Sequence, residues 1–204
     1  SLYSRILYNI ELYFTLRLFD GILCISEYLV KFYESKGIKR QKLFIVPSTV
    51  DTSRFLNHQD SPLSCQYIVY CGGLSILKDG VNILIRSFAE IADKYINLSL
   101  VLIGAADSSI EEAILKELVK ELNLENRIYF LGQIPREEIP AYLYNAKILA
   151  LSRPKSMIAD AGFPSKLTEY LATGKPVVVT DVGEITYYLK DNNIQYFGQP
   201  LSSL

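Results

Sequence analysis

From Tyr67 onward the chain alternates short, wholly apolar runs with longer amphipathic segments, and no other feature constrains the fold as tightly. Tyr67–Cys71, Leu98–Ile103, Ile128–Phe130, Ile148–Leu151 and Val177–Thr180 read as strands. Segments over about Val81–Lys94, Ser109–Leu122, Glu137–Tyr144, Ser165–Ala172 and Glu184–Leu189 read as helices. Strands such as TyrIleValTyr and ValValVal show no polar alternation, as expected when both faces are covered. The pattern predicts a doubly wound α/β domain with a parallel sheet. Such sheets bind ligands beyond the carboxyl ends of their strands, so the loops starting at Gly72, Gly104, Gly132, Ser152 and Asp181 are where function is sought.

The first third of the chain reads differently. Residues 2–19 carry an apolar stripe at helical spacing, Gly21–Ile25 is a short strand, and Ser26 is placed to cap a helix running to about Lys36. Lys42–Val46 is a second strand, stopped by Pro47. From Ser48 to Gln66 the sequence turns polar and irregular, which divides the chain into residues 1–47, a linker over 48–66, and residues 67–204. At about 150 residues per domain, 204 residues make one domain and a remainder. The absence of an initiating Met suggests a piece of something longer.

Composition removes several classes of function. With 21 Lys and Arg against 22 Asp and Glu there is no positive field to hold nucleic acid. Cys24, Cys65 and Cys71 are odd in number and lack CxxC spacing, which fits a reducing, intracellular setting better than a disulfide framework or zinc knuckle. The only histidine, His58, lies in the polar linker, so histidine triads and multi-histidine metal sites are not expected. No apolar run approaches the roughly 18 residues of a membrane span and no signal peptide is visible, so a soluble or at most peripheral, cytoplasmic protein is expected. Lys31, Lys36, Lys39, Arg40 and Lys42 face a single acid, Glu34, in one short segment. A solvated helix end explains them; attraction to an anionic membrane surface is the alternative.

Two loop regions carry residues suited to chemistry. Gly72 and Gly73 end a strand, and Lys78 stands just ahead of the helix near Val81, so a phosphate could approach the backbone there. Neither GxGxxG nor the Walker pattern is present, and a plain tight turn is an equal reading. The second region runs Gly162-Phe163-Pro164-Ser165-Lys166-Leu167-Thr168-Glu169. Pro164 suits the first helical position, leaving N–H groups at Ser165 to Leu167 as an anion site with the charge of Lys166 beside them. Glu169, one turn on, is an acceptor-only group that matches the vicinal diol of a ribose. A phosphate beside a diol describes a nucleotide; otherwise Glu169 is a dipole-stabilised acid and Lys166 a solvated cation.

Together these residues resemble the retaining GT-B glycosyltransferases of family four, often called glycosyltransferase group one. The resemblance rests on Gly72-Gly73…Lys78-Asp79-Gly80-Val81, on Gly162–Tyr170 running into Gly174-Lys175-Pro176-Val177-Val178, and on the turns at Gly132 and Gly183-Glu184; it covers roughly residues 21–198. It implies a Rossmann-like, C-terminal donor lobe preceded by a remnant of an acceptor-binding lobe. The implied reaction moves a sugar from a UDP- or GDP-linked donor to an acceptor hydroxyl with retention, needing no cofactor or dedicated metal. By the same resemblance Lys78 meets the pyrophosphate, and Lys78 and Lys166 assist its departure. The backbone from Gly162 to Leu167 holds phosphate and sugar, Glu169 holds the ribose, and Gln133 and Ile134 meet the base. Two positions depart from the family pattern. Gly73 stands where many members have Arg, a charge Lys166 is expected to replace, and Ala161, next to Asp160, stands at the first Glu of the Glu-x7-Glu motif. Further implications are a glycan or lipid-linked acceptor met through an absent N-terminal half, a role in polysaccharide synthesis, and no turnover by this chain alone. A non-catalytic nucleotide-binding or assembly module of the same fold is the rival.

Overall fold

The computed structural model describes residues 14–55 and 60–189. It contains two parallel sheets. The smaller pairs β1 (Ile22–Cys24) with β2 (Leu43–Ile45), Leu23 opposite Phe44, after a helix described at residues 14–18 (α1). Between the two strands runs α2 (Glu27–Ser35), started by Ser26, whose backbone is extended and whose side-chain oxygen accepts the Leu29 N–H. Leu16, Cys24, Val30, Ile38 and Leu43 close over one another as a small separate core.

The larger sheet has five parallel strands in the order β5-β4-β3-β6-β7. In chain order its elements are β3 (Gln66–Cys71), α3 (Ile76–Asp79), α4 (Val81–Ala92), β4 (Leu98–Ile103), α5 (Ser109–Glu121) and β5 (Ile128–Gly132). They continue with α6 (Ile139–Asn145), β6 (Ile148–Leu151), α7 (Met157–Ala161), α8 (Ser165–Ala172), β7 (Val177–Val179) and α9 (Ile185–Leu189). The first strand, β3, is central, and Tyr67, Val69 and Tyr70 on it are fully buried, which is why it reads as a continuous apolar run. The order reverses beside β3, with β4 on one flank and β6 on the other. A crevice therefore opens past the carboxyl ends of β3 and β6, where a doubly wound sheet places its ligand.

Predicted and observed boundaries differ in instructive places. The helix expected to reach Lys94 stops at Ala92, and that expected from Glu137 starts at Ile139 with Pro140 in its first turn. β5 continues through Gly132 because its backbone still pairs with β4 beyond a register shift at Leu102/Ile103. The single turns α3, α7, Arg40–Lys42 and Thr52–Phe55 have no counterpart in the sequence reading, since three to five residues are too few to show a helical period. Of the helix expected over 2–19 only 14–18 is described, and His58 lies outside the described residues. No helix among the described residues is long and apolar enough to cross a membrane.

The two sheets meet through polar groups. Ser26 Oγ donates to the Ala161 carbonyl at 2.7 Å, and Glu184 Oε1 accepts the Tyr28 N–H in the first turn of α2 at 3.1 Å. Around these bonds Glu27, Lys31, Asp160 and Gly183 line a cavity of about 210 Å³.

Candidate functional site

The turn after β3 is built on close backbone approach. Gly72 N–H bonds to Ile103 O at 2.8 Å, and Leu74 N–H to Ala105 O at 2.8 Å, so the turn lies against the loop after β4. A Cβ on Gly104 would come within 1.9 Å of Gly72 O, and one on Gly72 within 1.8 Å of Lys166 Cε. Gly73 differs: a Cβ there would meet only Asp107 Oδ1 at 3.9 Å, so the position is open to a side chain.

Lys166 fills the space over Gly72. Its Nζ donates to Tyr70 Oη at 2.6 Å and to Asp79 Oδ1 at 2.9 Å, and sits 4.8 Å from the Tyr70 ring centre. Tyr70 in turn donates to the Gly73 carbonyl at 2.6 Å, so the cation pins the glycine turn through the phenol. Burial lowers the ammonium from its ordinary range, with Lys78 and Arg153 adding repulsion and Asp79 opposing it. Burial likewise pushes the Tyr70 phenol far up, so it stays a donor. A solvated Lys166, the alternative reading, does not describe this structure: its charge meets a carboxylate side chain that is only 5% exposed. Lys78 is the exposed cation, on α3, whose start is capped by Ser75 Oγ accepting the Lys78 N–H. Arg153 is buried in the loop after β6, with Nε unpartnered. Lys78, Lys166 and Arg153 thus gather at the switch point around the buried acid Asp79.

The second region forms α8 from Ser165, the residue at which the helix was expected to begin. Pro164 is the cap of α8 rather than its first helical residue, with extended backbone and no side-chain cap bond. Its carbonyl accepts the Leu167 N–H at 2.9 Å, so Leu167 is no open donor, and the donors left to meet an anion are those of Ser165 and Lys166. Gly162 N–H bonds to Ile158 O at 3.2 Å, and the Phe163 ring packs edge-on against Tyr188 at 5.2 Å. Glu169 lies one turn along α8, facing β3: its charge helps burial push the Cys71 thiol up to about 11. Its Oε1 is ion-paired with Arg54 Nη1 at 2.8 Å.

On the far side of the glycine turn, Leu74, Gly104, Ala106, Phe130 and Gly132 line a cavity of about 330 Å³, with Glu112 and Lys116 also on its wall. Gln133, exposed, and Ile134, half-buried, follow directly after Gly132, whose carbonyl accepts the Gly104 N–H at 2.7 Å. Gly72, Gly73, Lys78 and Lys166 are therefore one cluster, Glu169 is reached from it along α8, and the loop at Gln133 adjoins the separate cavity. The sequence reading missed Tyr70, Asp79, Arg153 and Arg54. Tyr70 passes for a strand residue and Asp79 for a loop acid; Arg54, the one cation in the polar 48–66 stretch, carried the only usable signal.

The fold is the α/β architecture of GT-B glycosyltransferases, and the site is a cationic crevice at its switch point. The chain belongs to the glycosyl transferases group 1 family, whose model matches residues 55–203. It is 29% identical over 192 residues to the uncharacterized glycosyltransferase MJ1059 of Methanocaldococcus jannaschii, covering 89% of this chain and 44% of that one. It is 27% identical over 184 residues to mannosylfructose-phosphate synthase of Agrobacterium fabrum, covering 82% and 38%. Among solved structures, Anabaena Alr3699/HepE in complex with UDP and glucose superposes with a TM-score of 0.74 at 19% identity, covering 91% of this chain and 51% of that one. A Rickettsia africae glycosyltransferase gives 0.71 at 19% identity, covering 90% and 50%. The chain thus spans about half, or less, of the proteins it matches.

Proposed function

We propose that this chain is the donor-binding part of a retaining glycosyltransferase that takes a sugar from a nucleoside diphosphate donor and passes it to an acceptor hydroxyl. One observation carries the reading: Lys78, the open N–H groups of Ser165 and Lys166, and the carboxylate of Glu169 are ranged around the carboxyl ends of β3 and β6. A diphosphate would lie between Lys78 and the start of α8, where the helix dipole and the exposed ammonium oppose its charge. Lys166 acts mainly behind it, holding Gly73 O through Tyr70 so that the turn keeps its shape. As the bond from the sugar to the β-phosphate breaks, negative charge grows on the leaving oxygen, and preorganised donors stabilise it without reorganising. Glu169 accepts the ribose hydroxyls, and the cavity beside Gly132 with Gln133 and Ile134 takes the base.

HepE binds UDP and UDP-glucose, which supports a uridine donor here, with guanosine the alternative. The acceptor, a glycan or lipid-linked hydroxyl, would be met by a preceding lobe of which residues 14–47 are the near edge. Sugar transfer by this chain alone is accordingly not expected. A role in cell-surface polysaccharide synthesis at the cytoplasmic side of a membrane suits this chemistry.

Calorimetric titration of UDP, GDP, ADP and their sugars tests the reading. Saturable binding of one diphosphate, weakened at least about tenfold in Lys78→Ala, is expected, because a charge-assisted contact is worth roughly 1.5–3 kcal/mol. Binding to none would favour a non-catalytic module of the same fold, the reading to which Ala161 lends weight.

A further inference from the structure

We infer that Arg54, from the stretch joining the two sheets, is a positioning residue that sets the Glu169 carboxylate for the ribose; this rests on the donor-site reading above. The geometry is two-armed. Arg54 Nη1 donates to Glu169 Oε1 at 2.8 Å, and Nη2 to the Arg136 carbonyl at 3.3 Å. The guanidinium therefore spans from α8 to the loop that follows β5.

Its own backbone is anchored on both sides. Asp51 Oδ1 accepts from Ser53 N at 3.0 Å and from Ser53 Oγ at 2.6 Å, which shapes the turn Thr52–Phe55. Phe55 is buried in the large core, and the guanidinium lies 5.5 Å from its ring centre. With its side chain 17% exposed, Arg54 is held from both ends.

The consequence falls on the acid. Among the described residues Glu169 Oε1 is engaged by Arg54 and Oε2 accepts no hydrogen bond, so one oxygen is fixed while the other keeps its accepting capacity. A lone Glu on a helix samples several rotamers, and ordering it on binding weakens affinity roughly three- to tenfold. Arg54 removes that cost in advance, as a planar fork can and an ammonium cannot.

The test measures binding of UDP and GDP, each beside its 2′,3′-dideoxy counterpart, to wild type, Arg54→Gln and Arg54→Lys, with thermal unfolding as the check on fold. Wild type should prefer the ribonucleotide; Arg54→Gln should shrink that preference by roughly three- to tenfold and change dideoxy binding by less than about twofold. Arg54→Lys should restore only part. An undiminished preference in Arg54→Gln, or tighter ribonucleotide binding because the guanidinium had competed for the acid, overturns the inference. Should Arg54→Gln unfold, full preference in Arg54→Lys overturns it instead. No preference in the wild type would sink the donor-site reading itself, and is told apart by that protein alone.

Discussion

Asp79 and Lys166 define each other. Its side chain being 5% exposed, Asp79 has the ammonium at 2.9 Å as its nearest counter-charge, and deleting that partner strands a carboxylate in a poorly solvated place. Lys166→Met should therefore destabilise the fold by about 3–5 kcal/mol in denaturant titration, while Lys166→Met with Asp79→Asn recovers most of the loss. Additive single-variant effects would show the pair to be uncoupled. Linkage gives the pH trend. Because burial depresses the folded ammonium below its ordinary 10.5, the unfolded chain binds more protons in the window between the two values. This group's contribution to stability therefore rises with pH across that window and is least favourable below it. Sequence alone showed a Lys after Ser165 and an Asp after Lys78; their pairing depends on Tyr70 and on how α3 and α8 converge, which no spacing encodes.

Elements were legible where they were long and apolar. β4, β6 and α8 fall on their expected bounds, because a buried strand must be uniformly apolar and an eight-residue helix completes enough turns to show its stripe. The crevice was legible in so far as its glycines and Glu169 could be picked out from the sequence, and illegible where a residue's place depends on contact across the fold, as for Arg54 and Arg153. The loops after β3 and β4 show the same dependence. Gly104 has φ +131°, and a methyl group there would meet Gly72 O at 1.9 Å. Gly104→Ala should lower stability by about 1–3 kcal/mol, read as a drop in Tm, and weaken diphosphate binding together with it, because the strained turn carries both. Unchanged binding in a destabilised Gly104→Ala would separate the two.

At the scale of the whole molecule, the small core around Val30 and the large one around β3 are distinct clusters, and the direct bonds between their lobes run from Ser26 to Ala161 and from Tyr28 to Glu184. The Tyr28 N–H belongs to the first turn of α2, so this helix takes one of its caps from the other lobe. Glu184→Ala should speed hydrogen exchange at the Tyr28 amide several-fold while leaving Leu29, held by Ser26 Oγ within its own lobe, unchanged. Equal acceleration at both amides would mean that α2 frays as a unit.

Among the described residues, the hydrogen bonds across this seam join one hydroxyl, one carbonyl, one amide and one carboxylate. Solvent can step into each bond as it parts, so these bonds oppose a parting of the halves less than a greasy contact in their place would.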